Sequence, residues 1–281
     1  MLGLDPDPAA LWPSALEGAD GGTTAERTAA AVARHCRLAI EAAGASCVAV
    51  KPQLACFERL GAPGWWALEQ TRDAAREHGL LVLADGKRGD VPVTARAYAQ
   101  ALVGSTDGPF GRVEGLGADA FTANPLLGRD SLDPFMKAAD ASGAGCFLLV
   151  NTSNPGAADI QDLDAGGQPV HERLAVLVDE IGKSYVGDCG LSFVGAVCGA
   201  TRPERLGRLR ELMPRAIFLL PGVGAQGGSA DALAPAFEPH PAAGLVAASR
   251  SIVNAHGDRG GDPAAAAAAA AEELRALAWP G

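Results

Sequence analysis

The feature that most constrains the fold is a unit that recurs eight times along the chain. Each unit is an apolar run of strand length that ends on polar or glycine residues and leads into a segment with helical spacing. Runs of this kind are typical of parallel strands buried on both faces. Eight such units in 281 residues predict an α/β fold, a (β/α)8 TIM barrel with its active site at the carboxyl ends of the strands. The runs are Met1–Leu4, Cys47–Val50, Leu80–Ala84, Ala118–Ala123, Cys146–Val150, Phe193–Val197, Ile217–Leu220 and Leu245–Ala248.

The ends of the helical segments carry recognisable signals. Thr23 with Glu26 forms a capping box that predicts the start of the first helix. Asp262 precedes a proline and eight alanines, which predicts an alanine-rich helix at about 262–279. Because no interdomain linker separates the units, we expect one domain over residues 1–281.

Two connections are longer than the others. Gly104–Gly115 and Thr152–Gln168 carry no clear strand or helix pattern, so both are expected to be loops. The second follows the carboxyl end of a predicted strand, where a lid over an active site would be useful.

Composition excludes several classes of partner. A net charge of −10 argues against nucleic acid or an anionic membrane, because both require a basic surface. We find no signal-peptide pattern and no apolar run of transmembrane length. The six cysteines and five histidines show no metal-ligand spacing, so we expect no metal site, and reduced thiols indicate a cytoplasmic protein.

One stretch, Leu80–Thr94, places a charge cluster directly after a buried strand. Asp85 and Lys87 are two positions apart and would therefore share a face, which sets an ammonium beside a carboxylate. Asp90 follows three residues later. A solvated turn with one surface ion pair would contain similar residues. However, charges at the end of a buried strand lie where an α/β fold keeps its active site.

Other strand ends add polar residues at the same predicted mouth. Lys51 follows the second strand, and with Asp85 and Lys87 it would form an alternating array of cations and anions. Asp5 follows the first strand. Ser153 follows the fifth strand without a nearby base pattern, so it is interpreted as a hydrogen-bond donor and not as a nucleophile.

The seventh and eighth strand ends predict a phosphate site. A glycine-rich loop, Gly222–Gly228, follows strand seven, and Ser249 and Arg250 follow strand eight. Free backbone N–H groups and a guanidinium suit a phosphate dianion. The loop also matches GxGxxG, but no acidic residue lies between Glu238 and Asp258 to hold a ribose, so a dinucleotide site is not expected.

Taken together, these residues resemble one family, orotidine 5'-phosphate decarboxylase, and in particular its second, bacterial subgroup. The matching motifs span nearly the whole chain in the family's order. They are Gly3-Leu4-Asp5-Pro6, Val50-Lys51-Pro52, Asp85-Gly86-Lys87-Arg88-Gly89-Asp90-Val91, Thr152-Ser153-Asn154-Pro155-Gly156, Pro221-Gly222-Val223-Gly224-Ala225-Gln226-Gly227-Gly228 and Ser249-Arg250-Ser251-Ile252.

The resemblance implies decarboxylation of orotidine 5'-phosphate to uridine 5'-phosphate in pyrimidine biosynthesis, without a cofactor, by a homodimer with shared active sites. It implies that Lys51, Asp85 and Lys87 surround C6 of the pyrimidine together with Asp90 donated by the partner subunit. Lys87 would be the proton donor. The implied substrate contacts are Asp5 to the ribose, Ser153 to the pyrimidine, Val91 and Thr94 across the dimer, and Pro221, Gln226, Ser249 and Arg250 on the phosphate side.

Two alternatives remain open from the sequence. One is a related barrel that acts on sugar phosphates with Mg²⁺, a keto-gulonate phosphate decarboxylase or hexulose phosphate synthase. Enzymes of that kind are expected to have an acidic metal ligand at the second strand end. This chain has Lys51 at that position, and a lysine would repel the cation. The other is an inactive phosphosugar-binding barrel, because a fold alone does not establish activity.

Overall fold

Strands and helices alternate along the chain, as the recurring unit predicts. The computed structural model describes residues 1–18, 22–223 and 230–279. The strands are β1 (Leu2–Leu4), β2 (Ala49–Pro52), β3 (Leu81–Arg88), β4 (Ser105–Gly108), β5 (Gly111–Glu114), β6 (Ala120–Ala123), β7 (Gly145–Asn151), β8 (Ser192–Cys198), β9 (Ala216–Pro221) and β10 (Gly244–Ala247). The helices are α1 (Thr24–Ala43), α2 (Leu54–Glu58), α3 (Ala62–Glu77), α4 (Pro92–Leu102), α5 (Arg129–Ser142), α6 (Ala158–Gln161), α7 (Val170–Gly182), α8 (Leu206–Leu212), α9 (Arg250–Val253), α10 (Ala255–Arg259) and α11 (Pro263–Ala278).

Eight of the strands in the described residues belong to one sheet. Their order is β1-β2-β3-β6-β7-β8-β9-β10, which is also their order along the chain. The neighbouring strands β1–β2, β2–β3, β6–β7, β7–β8, β8–β9 and β9–β10 pair in parallel. Parallel neighbours need a crossover connection, which helices provide here. This topology confirms the predicted (β/α)8 fold class.

The chain divides into two compact units, Met1–Gly86 with Ala248–Gly281, and Lys87–Ala247. In the first unit β1 pairs with β2 at Leu2 and Val50, and Leu2 also bridges to Ala248. Its core contains fully buried large side chains, which include Leu2, Leu4, Trp12, Ile40, Leu54, Phe57 and Leu68. The capping box predicted at Thr23 and Glu26 is confirmed at the start of α1.

The second unit contains β6 to β10 and is packed around a buried aromatic core. The rings of Phe121 and Phe135 lie 5.5 Å apart. Arg210 is also buried, with its guanidinium 3.7 Å from the centre of the Phe218 ring. The Arg210 guanidinium donates hydrogen bonds to the backbone carbonyl oxygens of Met213, Ala216, Pro235, Ala236 and Ala243. Burial lowers the pKa of Arg210 to about 10.

Three segments differ from the sequence prediction. The strand expected at Leu80–Ala84 continues to Arg88, so the charged residues lie within β3. The loop expected at Gly104–Gly115 is instead the antiparallel hairpin β4–β5, whose mostly exposed side chains give no apolar pattern. Short helical turns at Pro155–Ala157 and α6 occupy part of Thr152–Gln168. Among the described helices, none combines the length and hydropathy needed to cross a membrane.

Candidate active site

In the first unit, Lys51 on β2 and Asp85 on the adjacent β3 form a buried ion pair. Lys51 Nζ donates to Asp85 Oδ2 over 2.7 Å. Burial alone lowers the pKa of Lys51, but the charges of Asp85 and Asp5 outweigh it and raise the pKa overall. The structure therefore brings together two of the charged residues predicted from the sequence, and keeps Lys51 protonated.

Gln53 is a third residue of this charged cluster, and the sequence did not predict it. Its Nε2 donates to the same Asp85 oxygen over 3.2 Å, next to the hydrogen bond from Lys51. Gln53 lies two positions beyond Lys51, and this strand-like spacing was the signal that could have identified it. Two donors on one oxygen hold the carboxylate of Asp85 in a fixed orientation.

Lys87 lies in the same strand as Asp85 and begins the second unit. Among the described residues other than glycine, it alone has a positive φ, +48°. A non-glycine residue in this region carries a backbone cost that the surrounding structure must compensate. Lys87 N donates to the buried hydroxyl of Thr122 over 2.8 Å, and Asn124 N donates to Arg88 O over 2.7 Å. The end of β6 therefore fixes the backbone at the predicted proton donor.

Asp90, Val91 and Thr94 lie where the chain enters α4. Val91 N donates to Asp90 Oδ1 over 2.8 Å, which orients the carboxylate at the helix start. Val91 is 55% exposed and Val93 is 82% exposed. Apolar side chains at the start of α4 are thus accessible for contact with another surface.

Asp5, Ser249 and Arg250 are brought together in the first unit. They line a small cavity of ≈ 40 Å³ that also includes His35. β1 approaches the start of α9 closely, because a Cβ on Gly3 would lie 2.8 Å from Ser249 Cβ. The residues predicted to contact ribose and phosphate at the first and eighth strand ends therefore share one cavity.

Ser153 lines a larger cavity in the second unit, of ≈ 330 Å³. Thr201 Oγ1 donates to Ser153 O over 3.3 Å, and a Cβ on Gly199 would lie within about 3 Å of Ser153 backbone atoms. Arg202 and Arg205 lie on the wall of the same cavity. This arrangement confines the Ser153 backbone from the β8 side.

The remaining site residues are those predicted to contact the phosphate. Pro221 is the last residue of β9, and Gly222 follows with a φ of +95°, a conformation that favours glycine. Gln226 lies outside the described residues, as does the glycine-rich loop beyond Val223. Within the described residues, no group of three or more His, Cys, Asp or Glu side chains is placed to hold a metal ion.

Comparisons with known proteins show the family to which the chain belongs. A sequence profile described as Orotidine 5'-phosphate decarboxylase / HUMPS family matches residues 2–270. A relative in Rhodopirellula baltica named orotidine 5'-phosphate decarboxylase is 43% identical over 258 residues, 91% of this chain and 83% of the relative. One of the same name in Deinococcus radiodurans is 48% identical over 219 residues, 78% of this chain and 75% of the relative.

Solved structures show the same similarity. A structure of Leishmania donovani OMP decarboxylase has a TM-score of 0.71 and 33% identity, covering 99% of this chain and 93% of that one. The fold and these relatives define a decarboxylase of the (β/α)8 class. The chain belongs to the orotidine 5'-phosphate decarboxylase / HUMPS family, which confirms the family identified from the sequence.

Proposed function

We propose that this chain converts orotidine 5'-phosphate to uridine 5'-phosphate and CO₂ without a cofactor. The observation that carries this proposal is the buried ion pair of Lys51 on β2 with Asp85 on β3, the strand that also bears Lys87, in a chain of this family. A carboxylate held by a lysine, with a second lysine on the same strand, suits a reaction in which a negative charge moves from a carboxylate to a ring carbon.

The proposed chemistry needs one proton and no electron acceptor. The bond between C6 and the carboxylate breaks, its electron pair stays on C6, and CO₂ leaves. The Lys87 ammonium then donates a proton to C6, and the neutral amine takes a proton from water. Its charge also stabilises the carbanion as it forms, so Lys87 acts as electrostatic catalyst and general acid.

Asp85 is proposed to face the carboxylate of the substrate. Lys51 and Gln53 donate to one of its oxygens, and this holds its charge in place. A fixed negative charge beside the substrate carboxylate disfavours the bound substrate relative to the transition state, in which that charge has moved away.

The non-reacting part of the nucleotide supplies binding energy in this proposal. Arg250 and Gln226 hold the phosphate next to Pro221 and Ser249, Asp5 binds the ribose, and Ser153 binds the pyrimidine. The cavity shared by Asp5 and Arg250 supports this placement. Slow uncatalysed reactions require about 20 kcal/mol of transition-state stabilisation, more than the lysines alone would give, so the remote phosphate is expected to contribute.

We further propose that the enzyme is a homodimer in which each active site takes Asp90, Val91 and Thr94 from the partner subunit. Two observations support this: the exposed apolar side chains at the start of α4, and the oriented carboxylate of Asp90 beside them. Cytoplasmic location is also a proposal, supported by six cysteines that are all free thiols.

A spectroscopic assay tests the proposed function. Enzyme treated with EDTA is mixed with orotidine 5'-phosphate, and the loss of the substrate's ultraviolet absorbance is followed. Full turnover without metal is the expected result. No turnover with or without Mg²⁺ would refute the proposed function. Turnover of a sugar phosphate with Mg²⁺ would then favour the sugar-phosphate enzymes, and its absence would favour an inactive binding protein.

A further inference from the structure

The connection after β7 contains a hydrogen-bond network centred on Gln161, the last residue of α6. Gln161 Oε1 accepts from Thr152 N over 2.9 Å and from Asn151 Nδ2 over 3.3 Å. Gln161 Nε2 donates to Thr152 Oγ1 over 2.9 Å. Because a backbone N–H only donates, the oxygen of the amide must face Thr152 N, which fixes the orientation of the Gln161 side chain.

The network continues past Ser153. Thr152 Oγ1 donates to Asn154 Oδ1 over 2.7 Å, so the hydroxyl accepts from Gln161 and donates to Asn154. The two residues that flank Ser153 are therefore linked to the same amide. Hydrogen bonds connected in this way polarise one another and hold a single geometry.

Gln161 is itself anchored to the neighbouring elements. Its carbonyl oxygen accepts from His171 Nδ1 over 2.8 Å at the start of α7. The next residue, Asp162, receives two hydrogen bonds from Arg205, of 2.6 and 2.9 Å. Arg205 lowers the pKa of Asp162, so this carboxylate is ionised at neutral pH. The position of Gln161 is therefore set by α7 and by the segment that follows β8.

Ser153 is thus confined from two directions. On the β8 side, the backbone of Gly199 approaches Ser153 so closely that an added Cβ would lie 2.9 Å from Ser153 N. In addition, the Gln161 amide holds Thr152 and, through the Thr152 hydroxyl, Asn154. The Ser153 hydroxyl takes part in neither restraint, and Ser153 lines the ≈ 330 Å³ cavity, where this hydroxyl can bind a ligand.

From this network, we propose that Gln161 is a positioning residue that fixes Ser153 in the orientation needed to bind the pyrimidine ring. The proposal rests on the proposed function, in which Ser153 contacts the base. Gln161 acts through Thr152 and does not touch the reacting atoms. Its loss should weaken recognition of the base and leave recognition of the ribose phosphate intact, because that part of the ligand is held by other elements.

The test compares Gln161→Ala with the wild type in decarboxylation assays. Inhibition constants are measured for uridine 5'-phosphate, which carries the base, and for ribose 5-phosphate, which lacks it. We expect about tenfold weaker inhibition by uridine 5'-phosphate, less than about a twofold change for ribose 5-phosphate, and kcat/KM lower by roughly 10- to 100-fold. Gln168→Ala removes the same amide from the same connection and is the matched control, expected to behave as the wild type.

A second pair of variants tests the same network without altering Gln161. Thr152→Val removes the hydroxyl at nearly constant volume, and Thr152→Ser keeps it. Thr152→Val should reproduce the selective loss, and Thr152→Ser should restore wild-type inhibition. This pair also provides the answer if thermal melting shows that Gln161→Ala does not fold.

The outcomes separate the two proposals. Wild-type protein that neither decarboxylates orotidine 5'-phosphate nor binds uridine 5'-phosphate would refute the proposed function. Active wild-type protein whose Gln161→Ala and Thr152→Val variants weaken both inhibitors equally, or neither of them, would overturn the positioning role of Gln161.

Discussion

Lys51 Nζ donates a hydrogen bond to Asp85 Oδ2 over 2.7 Å, and the two side chains are only 9% and 6% exposed. A buried ion pair of this kind rarely adds net stability, because removing both charges from water costs about as much as their attraction returns. Breaking the pair is different, since it leaves one buried charge without compensation. The pair is therefore better explained by the chemistry of the site than by the stability of the fold.

The first prediction follows from this asymmetry. Lys51→Met should lower the free energy of unfolding by about 3–5 kcal/mol, because Asp85 keeps a buried charge without its cation. The double variant Lys51→Met/Asp85→Leu should recover most of that loss, yet remain inactive. Urea unfolding and the decarboxylation assay measure the two effects. A double variant as unstable as the single one would show that the pair is a net contributor to stability.

A second prediction concerns pH. The pKa of Lys51 in the folded protein is raised above its ordinary value of 10.5, so the folded state keeps this proton more tightly than the unfolded state. The resulting stabilisation is complete below about pH 10.5 and is lost as the pH rises through the folded pKa. Between about pH 8 and about pH 11, the free energy of unfolding should therefore decrease more for the wild type than for Lys51→Met/Asp85→Leu. Parallel slopes would contradict this assignment.

The third prediction concerns the proton donor. Lys87→Ala should fold and still bind uridine 5'-phosphate. Its kcat for decarboxylation should fall by about 10²- to 10⁴-fold, the usual contribution of a general acid. The exposed Lys137 on α5 gives a matched control, because Lys137→Ala removes an ammonium far along the chain from the charged strand end. More than about a hundredth of wild-type kcat in Lys87→Ala would exclude it as the general acid.

The fourth prediction tests the phosphate contact at Arg250. Arg250→Ala should reduce turnover of orotidine 5'-phosphate far more than turnover of the unphosphorylated nucleoside, because the lost interaction exists only with the phosphate. Arg259→Ala, in α10, is a suitable control because its guanidinium is paired with Glu273. Equal losses on the two substrates would mean that Arg250 has a structural role.

The fifth prediction tests whether active sites are shared between subunits. Lys87→Ala and Asp90→Ala should each be inactive as homodimers. In a mixed dimer with shared sites, one site carries both substitutions and the other carries neither. Random exchange makes half of the dimers mixed, and half of their sites intact, so activity should return to about a quarter of wild type. Background activity in a sample with proven heterodimers would rule out shared sites.

The sequence predicted the fold class because apolar runs and helical spacing depend on local patterns that the chain displays directly. It also predicted that Lys51 and Asp85 lie close together, since charges that follow buried apolar runs are conspicuous. Gln53 and Thr122 were missed because their roles depend on the neighbouring strand: Gln53 reaches Asp85, and Thr122 lies within an apolar run. The β4–β5 hairpin was missed for a related reason, because its side chains face solvent and produce no periodicity.

The left-handed backbone of Lys87 has a consequence for how this position can change during evolution. Glycine would adopt a φ of +48° at little cost, whereas any residue with a Cβ pays roughly 1–2 kcal/mol there. The residue that best suits the backbone is thus one that cannot donate a proton. Replacing this lysine with glycine would relieve the backbone and remove the proposed proton donor at the same time, so stability and activity are opposed at this position.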